Sequence, residues 1–442
     1  MTSKLTAADH RRAWSLAWPM ILGGVSGPLL GMVDTAVMGH LDDPRFLGAV
    51  ALGAMIFQFL FWGLGFLRMS TTGLTAHALG SGSGQALRDV LGRAILMALI
   101  LSALLLLLQR PIAWLAFRWI SSAPEMIEQA QMYYGIRIWA APATLINYVL
   151  LGWFLGLQRP RIPLLLMLLM NAMNIVLDLY FVVGLGMKTE GVAWASVITE
   201  YCGLAAGLWF VRIELSRQEG HLLIGHILRP DLLGQTLVLN QDIFIRTIVL
   251  ISAFALFTLQ GARMGASVLA ANAVLMNFMH FMAYGLDGFA HTAEALVGEA
   301  LGRRDVLALK RSLKVTVIWS AIIAVLFALV YAVAGELIIR ELTDIDALRS
   351  LARDYLPWLV VMPLVGVWAY WLDGVFIGAM QARWLRNAML AAFILVYLPA
   401  LWLLHPLGNN GLWLSLFLFM LARALFLAPG LGRLGRVVAQ AH

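Results

Sequence analysis

The 442-residue chain is 61% hydrophobic and only 12% charged, with a mean hydropathy of +0.84. A soluble domain carries roughly a quarter charged residues, so this composition excludes an ordinary water-solvated globule and makes the bilayer the solvent. The formal charge of +7 does not point to nucleic acid, because the basic residues stand singly or in short groups between apolar runs, as loops at an anionic leaflet do.

Taken in order, the chain opens on the polar stretch MTSKLTAADHRR. The apolar run behind it is too long for a cleavable signal peptide and ends in charge, so it reads as the first anchor. A membrane helix needs about 20 mostly apolar residues. Runs of that kind cover 13–38, 47–76, 90–109, 127–157, 162–185 and 191–212, then 233–262, 268–297, 312–334, 351–380, 385–404 and 411–430. The longest connection, 213–232, falls at mid-chain. The expectation is an all-α integral membrane protein of about twelve spans, divided into 1–217 and 218–442. The single cysteine, Cys202, lies inside an apolar run, which leaves no disulfide framework and no thiolate metal cluster.

With the N-terminus placed inside, nineteen Lys and Arg fall in inner segments and eight in outer ones, while Arg68, Arg137, Arg246 and Arg423 lie within spans. That asymmetry predicts both termini on the cytoplasmic side and an even number of spans. The chain also repeats itself at an offset of 222 residues. LGAVALGA at 47–54 falls on LAANAVLM at 269–276, and HALGSG at 77–82 on EALGRR at 299–304. Gly152, Phe154 and Gly156 fall on Gly374, Phe376 and Gly378. Six spans per repeat make the two halves parallel, an arrangement suited to alternating access around a midplane site.

A carboxylate at the centre of a membrane helix costs about 2.5–3.5 kcal/mol on insertion scales, so each one needs a partner, water or a function. The candidates are Asp34 in the first run, Asp178 in the fifth, Asp287 and Glu294 in the eighth and Asp373 in the tenth. A rise of 1.5 Å per residue brings Asn174, Asp178 and Ser196 to similar depth, with Asp34 in the outer part of the membrane. Tyr133 and Arg137, one turn apart in the fourth run, lie at about that level too. Such a cluster of Asp34, Asn174, Asp178 and Ser196 suits a proton shared between two acids, or Na⁺ at Asp34, Asn174 and Asp178. The plainer alternatives are that Asp34 caps its helix in headgroup water, or that Arg137 neutralises Asp178. Pro19 removes one backbone hydrogen bond from the first helix, which serves either a gating bend or shape alone. In the second half Arg246 is expected to pair with Asp287 or Asp373 and hold the bundle together. No P-loop or HExxH motif is present.

PM at 19–20, LLGMVDTAVMGHL at 29–41, FLRMSTTGLTAHALGSG at 66–82 and NIVLDLYFVVGLGM at 174–187 resemble the multidrug and toxic compound extrusion (MATE) family. The blocks at 270–302 and 372–390 resemble its DinF subgroup. The resemblance implies a V-shaped pair of six-helix lobes exporting cationic or amphipathic compounds in exchange for H⁺ or Na⁺. It assigns coupling roles to Asp34, Asn174, Asp178 and Ser196, the last standing where relatives carry threonine, and a bending role to Pro19. A C-lobe cation site is expected to be weakened, since Asp373 matches one of its acids while the seventh run offers Arg246 and no clear acid.

The reading is therefore a secondary antiporter of the bacterial inner membrane. It is expected to be monomeric, to need no cofactor and to bind no nucleic acid, its partners being small molecules, H⁺ or Na⁺, and lipid. The rival transporters are a flippase for lipid-linked intermediates and a major-facilitator type, whose charged signature is missing from GSGSGQALRDVLGR at 81–94. A lipid-modifying enzyme is disfavoured because the His residues are scattered.

Overall fold

Backbone polar groups in hydrocarbon find no water, so a chain this apolar has to satisfy them internally. The computed structural model describes residues 4–39, 44–118, 123–221 and 223–439, with the side chains of 27–39, 44 and 435–439 also outside the description, and it is helical nearly throughout those residues. Helix α1 is Ala7–Gly39. The next five are α2 (Arg45–Gly80), α3 (Gly84–Leu107), α4 (Pro124–Gly156), α5 (Arg161–Gly184) and α6 (Thr189–Ser216). The second set is α7 (Pro230–Arg263), α8 (Ala266–Gly302), α9 (Val306–Leu342), α10 (Asp346–Gly378), α11 (Ala382–Leu403) and α12 (His405–Leu434). Among the described residues these eleven spans are long and apolar enough to cross a membrane, and α1 adds a helix of 33 residues. Each coincides with one of the twelve runs. Their outer surfaces are apolar, with Leu107, Val333 and Trp402 more than three-quarters exposed, as lipid-facing side chains are.

The helices are not uniform. A turn at Leu64 and Gly65 interrupts α2, a 3₁₀ turn at Ile138–Ala140 interrupts α4, and α5 closes in a π-helical segment, Leu179–Gly184. A second π segment, Ala392–Tyr397, lies within α11.

The chain divides into two compact units, one formed by Leu22–Ala78 with Ser83–Gly234 and the other by Met1–Ile21, Leu79–Gly82 and Gln235–His442. The sequence boundary at 217/218 falls in the connection just ahead of α7, and α1 contributes to both units. In the first unit α4 packs on α2, α3 and α6, and α5 packs on α6. In the second, α8, α9 and α10 pack on one another and α12 packs on α10, around a core that includes Phe257, Phe278, Phe289, Trp413 and Phe419.

The 222-residue repeat is written into the backbone. Residues in the left-handed region recur at that spacing, as Gly82 with Arg304, Gln158 with Met380 and Gly186 with Gly408. The turns after α4 and α10 are closed by the same bond, Arg159 N to Phe154 O and Gln381 N to Phe376 O, each 2.9 Å. The following helices share their caps, Ser83 accepting from Ala86 N and Asp305 from Leu307 N and Ala308 N. Gly152 and Gly156 lay α4 against the Arg68 and Thr72 carbonyls of α2, while Gly374 and Gly378 lay α10 against the Ala290 and Glu294 carbonyls of α8. A methyl group at any of these four would collide with backbone. Small residues of this kind are what allow membrane helices to approach closely where no hydrophobic drive favours their association.

Candidate functional site

Within the first unit, helices α2, α4, α5 and α6 enclose a cavity of about 660 Å³. Its apolar wall includes Phe57, Phe61 and Trp62 from α2 and Met167 and Met170 from α5. Polar groups reach it from every helix: Gln58, Tyr133, Arg137, Asn147, Asn171, Asn174, Ser196, Thr199 and Glu200. The volume lies within the range of small-molecule sites, about 300–1,000 Å³.

Four of the residues expected from the sequence, Tyr133, Arg137, Asn174 and Ser196, meet at this one cavity. Asn174 is buried on α5, and Asp178, one turn further along the same face, is fully buried. The side chain of Asp34 lies outside the described residues. Pro19 is buried within α1, which runs unbroken from Ala7 to Gly39, and the chain passes from one compact unit to the other two residues later.

The partner of Arg137 is a residue that the sequence reading left out. Arg137 Nη2 lies 3.4 Å from Glu200 Oε1, so its ion-pair partner is Glu200 on α6. Asn147 of α4 donates to Glu200 Oε2 at 2.9 Å and to the Glu200 carbonyl at 3.0 Å. The guanidinium also stands 5.7 Å from the ring centres of Phe57 and Phe61, within reach of their π faces. The signal for Glu200 was available, since it is a carboxylate inside an apolar run, four residues after Ser196 and hence on the same helix face.

The second unit assembles a different cluster. Arg246 of α7 donates to Asp373 of α10, one of the two acids expected for it. Arg423 of α12 reaches the same carboxylate oxygen, 2.7 Å away, so one acid is held between two buried guanidiniums. Asp287 is half-buried on α8. Helix α7 does carry a buried acid, contrary to the sequence reading: Asp242, one turn before Arg246, which Arg386 grips at 2.5 Å. Asp242 escaped notice because it stands near the start of its run, where a carboxylate reads as a solvated helix end.

Twelve apolar helices in a duplicated arrangement, with a lined cavity in one half and buried carboxylates on spanning helices, define a multi-pass membrane transporter. The MatE family model matches the chain twice, over residues 19–180 and 243–403, and the chain belongs to that family: it is a transporter and not an enzyme. It is 46% identical over 430 residues to the DNA damage-inducible protein F of Escherichia coli (strain K12), covering 96% of this chain and 92% of that one, which places it with the DinF-type members. It is 24% identical to the probable multidrug resistance protein NorM of Photorhabdus laumondii, over 93% of this chain and 92% of the other. Its fold matches a MOP superfamily transporter from Pyrococcus furiosus at a TM-score of 0.86 and 17% identity, over 98% of both chains. It likewise matches the bent form of the Vibrio cholerae MATE transporter VcmN at 0.85 and 18%, over 99% of both.

Proposed function

We propose that the protein is a secondary antiporter that exports cationic or amphipathic compounds across the bacterial inner membrane in exchange for H⁺, with Na⁺ as the alternative ion. The observation that carries this reading is Asp178, fully buried on a membrane-spanning helix one turn from Asn174, which lines the cavity. A carboxylate there is costly, and one that takes up and releases a proton explains its retention. Asp34, Asn174, Asp178 and Ser196 form the coupling set, in an N-lobe of residues 1–217, with the C-lobe 218–442 as its counterpart. Both termini face the cytoplasm, on the strength of the Lys and Arg asymmetry, and the protein works as a monomer. The names of relatives such as NorM, a probable multidrug resistance protein, support an efflux role.

The test is transport in proteoliposomes with the pH and Na⁺ gradients imposed separately. Export driven by a pH gradient alone, abolished in Asp34→Asn and in Asp178→Asn, is the expected result. Export driven by Na⁺ at equal pH on both sides assigns the coupling ion to Na⁺ instead, and full transport by Asp34→Asn removes the coupling set. Pro19 serves as the point at which α1 bends during the cycle. Pro19→Ala should slow transport without loss of folding, since alanine is the better helix former, and a wild-type rate would assign the proline to shape alone.

A further inference from the structure

The cavity of the first unit has a charge pattern that selects among amphipathic compounds. Of the residues lining it, Arg137 and Glu200 alone carry formal charge, so the lining is neutral overall. Their side chains are only 13% and 15% exposed. In so dry a site, a charge left alone is costly and a charge given a partner is strongly held.

Neither group is saturated by the other. Arg137 reaches Glu200 through one nitrogen at 3.4 Å, a loose contact for a guanidinium that can grip a carboxylate at two points. Its Nη1 is buried with no hydrogen-bond partner among the described residues. The second oxygen of Glu200 rests on Asn147, which fixes the carboxylate without neutralising it. The pair is therefore held open, with donor capacity at one end and acceptor capacity at the other.

We propose that this cavity takes amphipathic zwitterions, compounds with an aromatic or apolar body that carry a cationic and an anionic group together. The cationic group pairs with Glu200, and the anionic group takes the two nitrogens of Arg137. The body lies along Phe57, Phe61 and Met167. Charge conservation separates the ligand classes. A zwitterion replaces one loose ion pair with two close ones, and no charge is stranded. A monocation that captures Glu200 leaves Arg137 without its counter-charge, and an anion on Arg137 does the same to Glu200. Ser196 lies one turn before Glu200 on α6, a rise of about 6 Å, so the ligand's cationic end sits beside the coupling set. The proposal rests on the transport reading only for the steps after binding.

Binding is tested with purified protein in lipid nanodiscs by fluorescence polarisation, using tetramethylrhodamine, which is zwitterionic, and its methyl ester, a monocation with the same body. The wild type should bind the zwitterion at least about tenfold more tightly, a difference of about 1.4 kcal/mol. Arg137→Gln should bring the two affinities to within about twofold, because Glu200 is then free for the monocation. Glu200→Gln should weaken both dyes. The double variant Arg137→Gln/Glu200→Gln leaves no lone charge to compromise folding, and it should bind both dyes weakly and without preference. The proposal is overturned by a wild type that favours the ester, shows no preference or shows no saturable binding, and equally by a preference that survives in the double variant. Gradient-driven movement of the same dye in proteoliposomes keeps the two readings apart. A zwitterion preference without such movement defeats the antiport and leaves the pocket assignment standing, whereas driven export without the preference does the reverse.

Discussion

The two halves of the chain carry the same backbone marks and opposite chemistry. Left-handed residues, helix caps and carbonyl-seated glycines recur at 222 residues, yet the same shift carries Arg137 onto Leu359, Asn147 onto Ala369, Asn174 onto Val396, Asp178 onto Ala400 and Glu200 onto Ala422. The polar cavity of the first unit thus corresponds to aliphatic packing in the second. The second unit has its own charges, drawn together as Arg246, Asp373 and Arg423. A backbone mark depends on one permissive residue and survives duplication easily. A buried polar group survives only while its partners remain, so the two copies were free to part at those positions.

That contrast can be broken, and the largest effect is expected at Asp178. Asp178→Asn should reduce gradient-driven export to background while the thermal midpoint in detergent stays near wild type, because an amide replaces a buried carboxylate at equal volume. Surviving transport would take function out of the first unit's acid.

Next in size is Asp373→Asn, measured as thermal stability in detergent. It strands two guanidiniums in the bundle, and removing one partner from a buried pair costs about 3–5 kcal/mol. The combination Asp373→Leu, Arg246→Met and Arg423→Met removes all three charges and should recover most of the loss in a multiple-mutant cycle. If Asp373→Asn keeps its stability but loses transport, the second unit has a functional site and the division of labour fails.

The third comparison sets Gly152→Ala against Gly374→Ala. Each added methyl meets a backbone carbonyl of the neighbouring helix, and overpacking of this kind costs about 1–3 kcal/mol. Equal losses would confirm that the two contacts are one device used twice, and a loss in only one half would separate them.

The smallest effect is a gain. Gln158 and Met380 hold φ values of 59° and 54°, where side-chained residues are strained. Gln158→Gly and Met380→Gly should each relieve about 1–2 kcal/mol of that strain against a folding entropy cost of about 0.5–1 kcal/mol. A small rise in thermal midpoint, similar for both variants, is the expected outcome.

Hydropathy and charge alone located the helices, because in a bilayer length and apolarity leave one solution. The offset of 222 was legible for a related reason: close helix contacts demand glycine, and glycine is visible in a sequence. Depth arithmetic brought Tyr133, Arg137, Asn174 and Ser196 to one level, and they do share one cavity. What depth does not supply is azimuth and lateral order. Asp178 and Glu200 both stand on neighbours of Arg137 in the chain's folding, and choosing Glu200 required knowing which faces of α4 and α6 meet. Arg423 was seen to lie within a span but was given no partner, since its acid, Asp373, is fifty residues away in sequence and the contact exists only through the packing of α10 and α12.

The chain contains a single cysteine, Cys202, half-buried on α6. It comes two residues after Glu200, which on a helix of 3.6 residues per turn sets it on nearly the opposite side. A maleimide fluorophore therefore has one address in the unaltered protein, on the back of the helix whose front carries Ser196 and Glu200. Single-label spectroscopy usually begins by stripping native thiols from a protein and adding one back. Here the reporter position is supplied by the native sequence, and changes in the emission of a dye at Cys202 can follow α6 through a transport cycle with the cavity left intact.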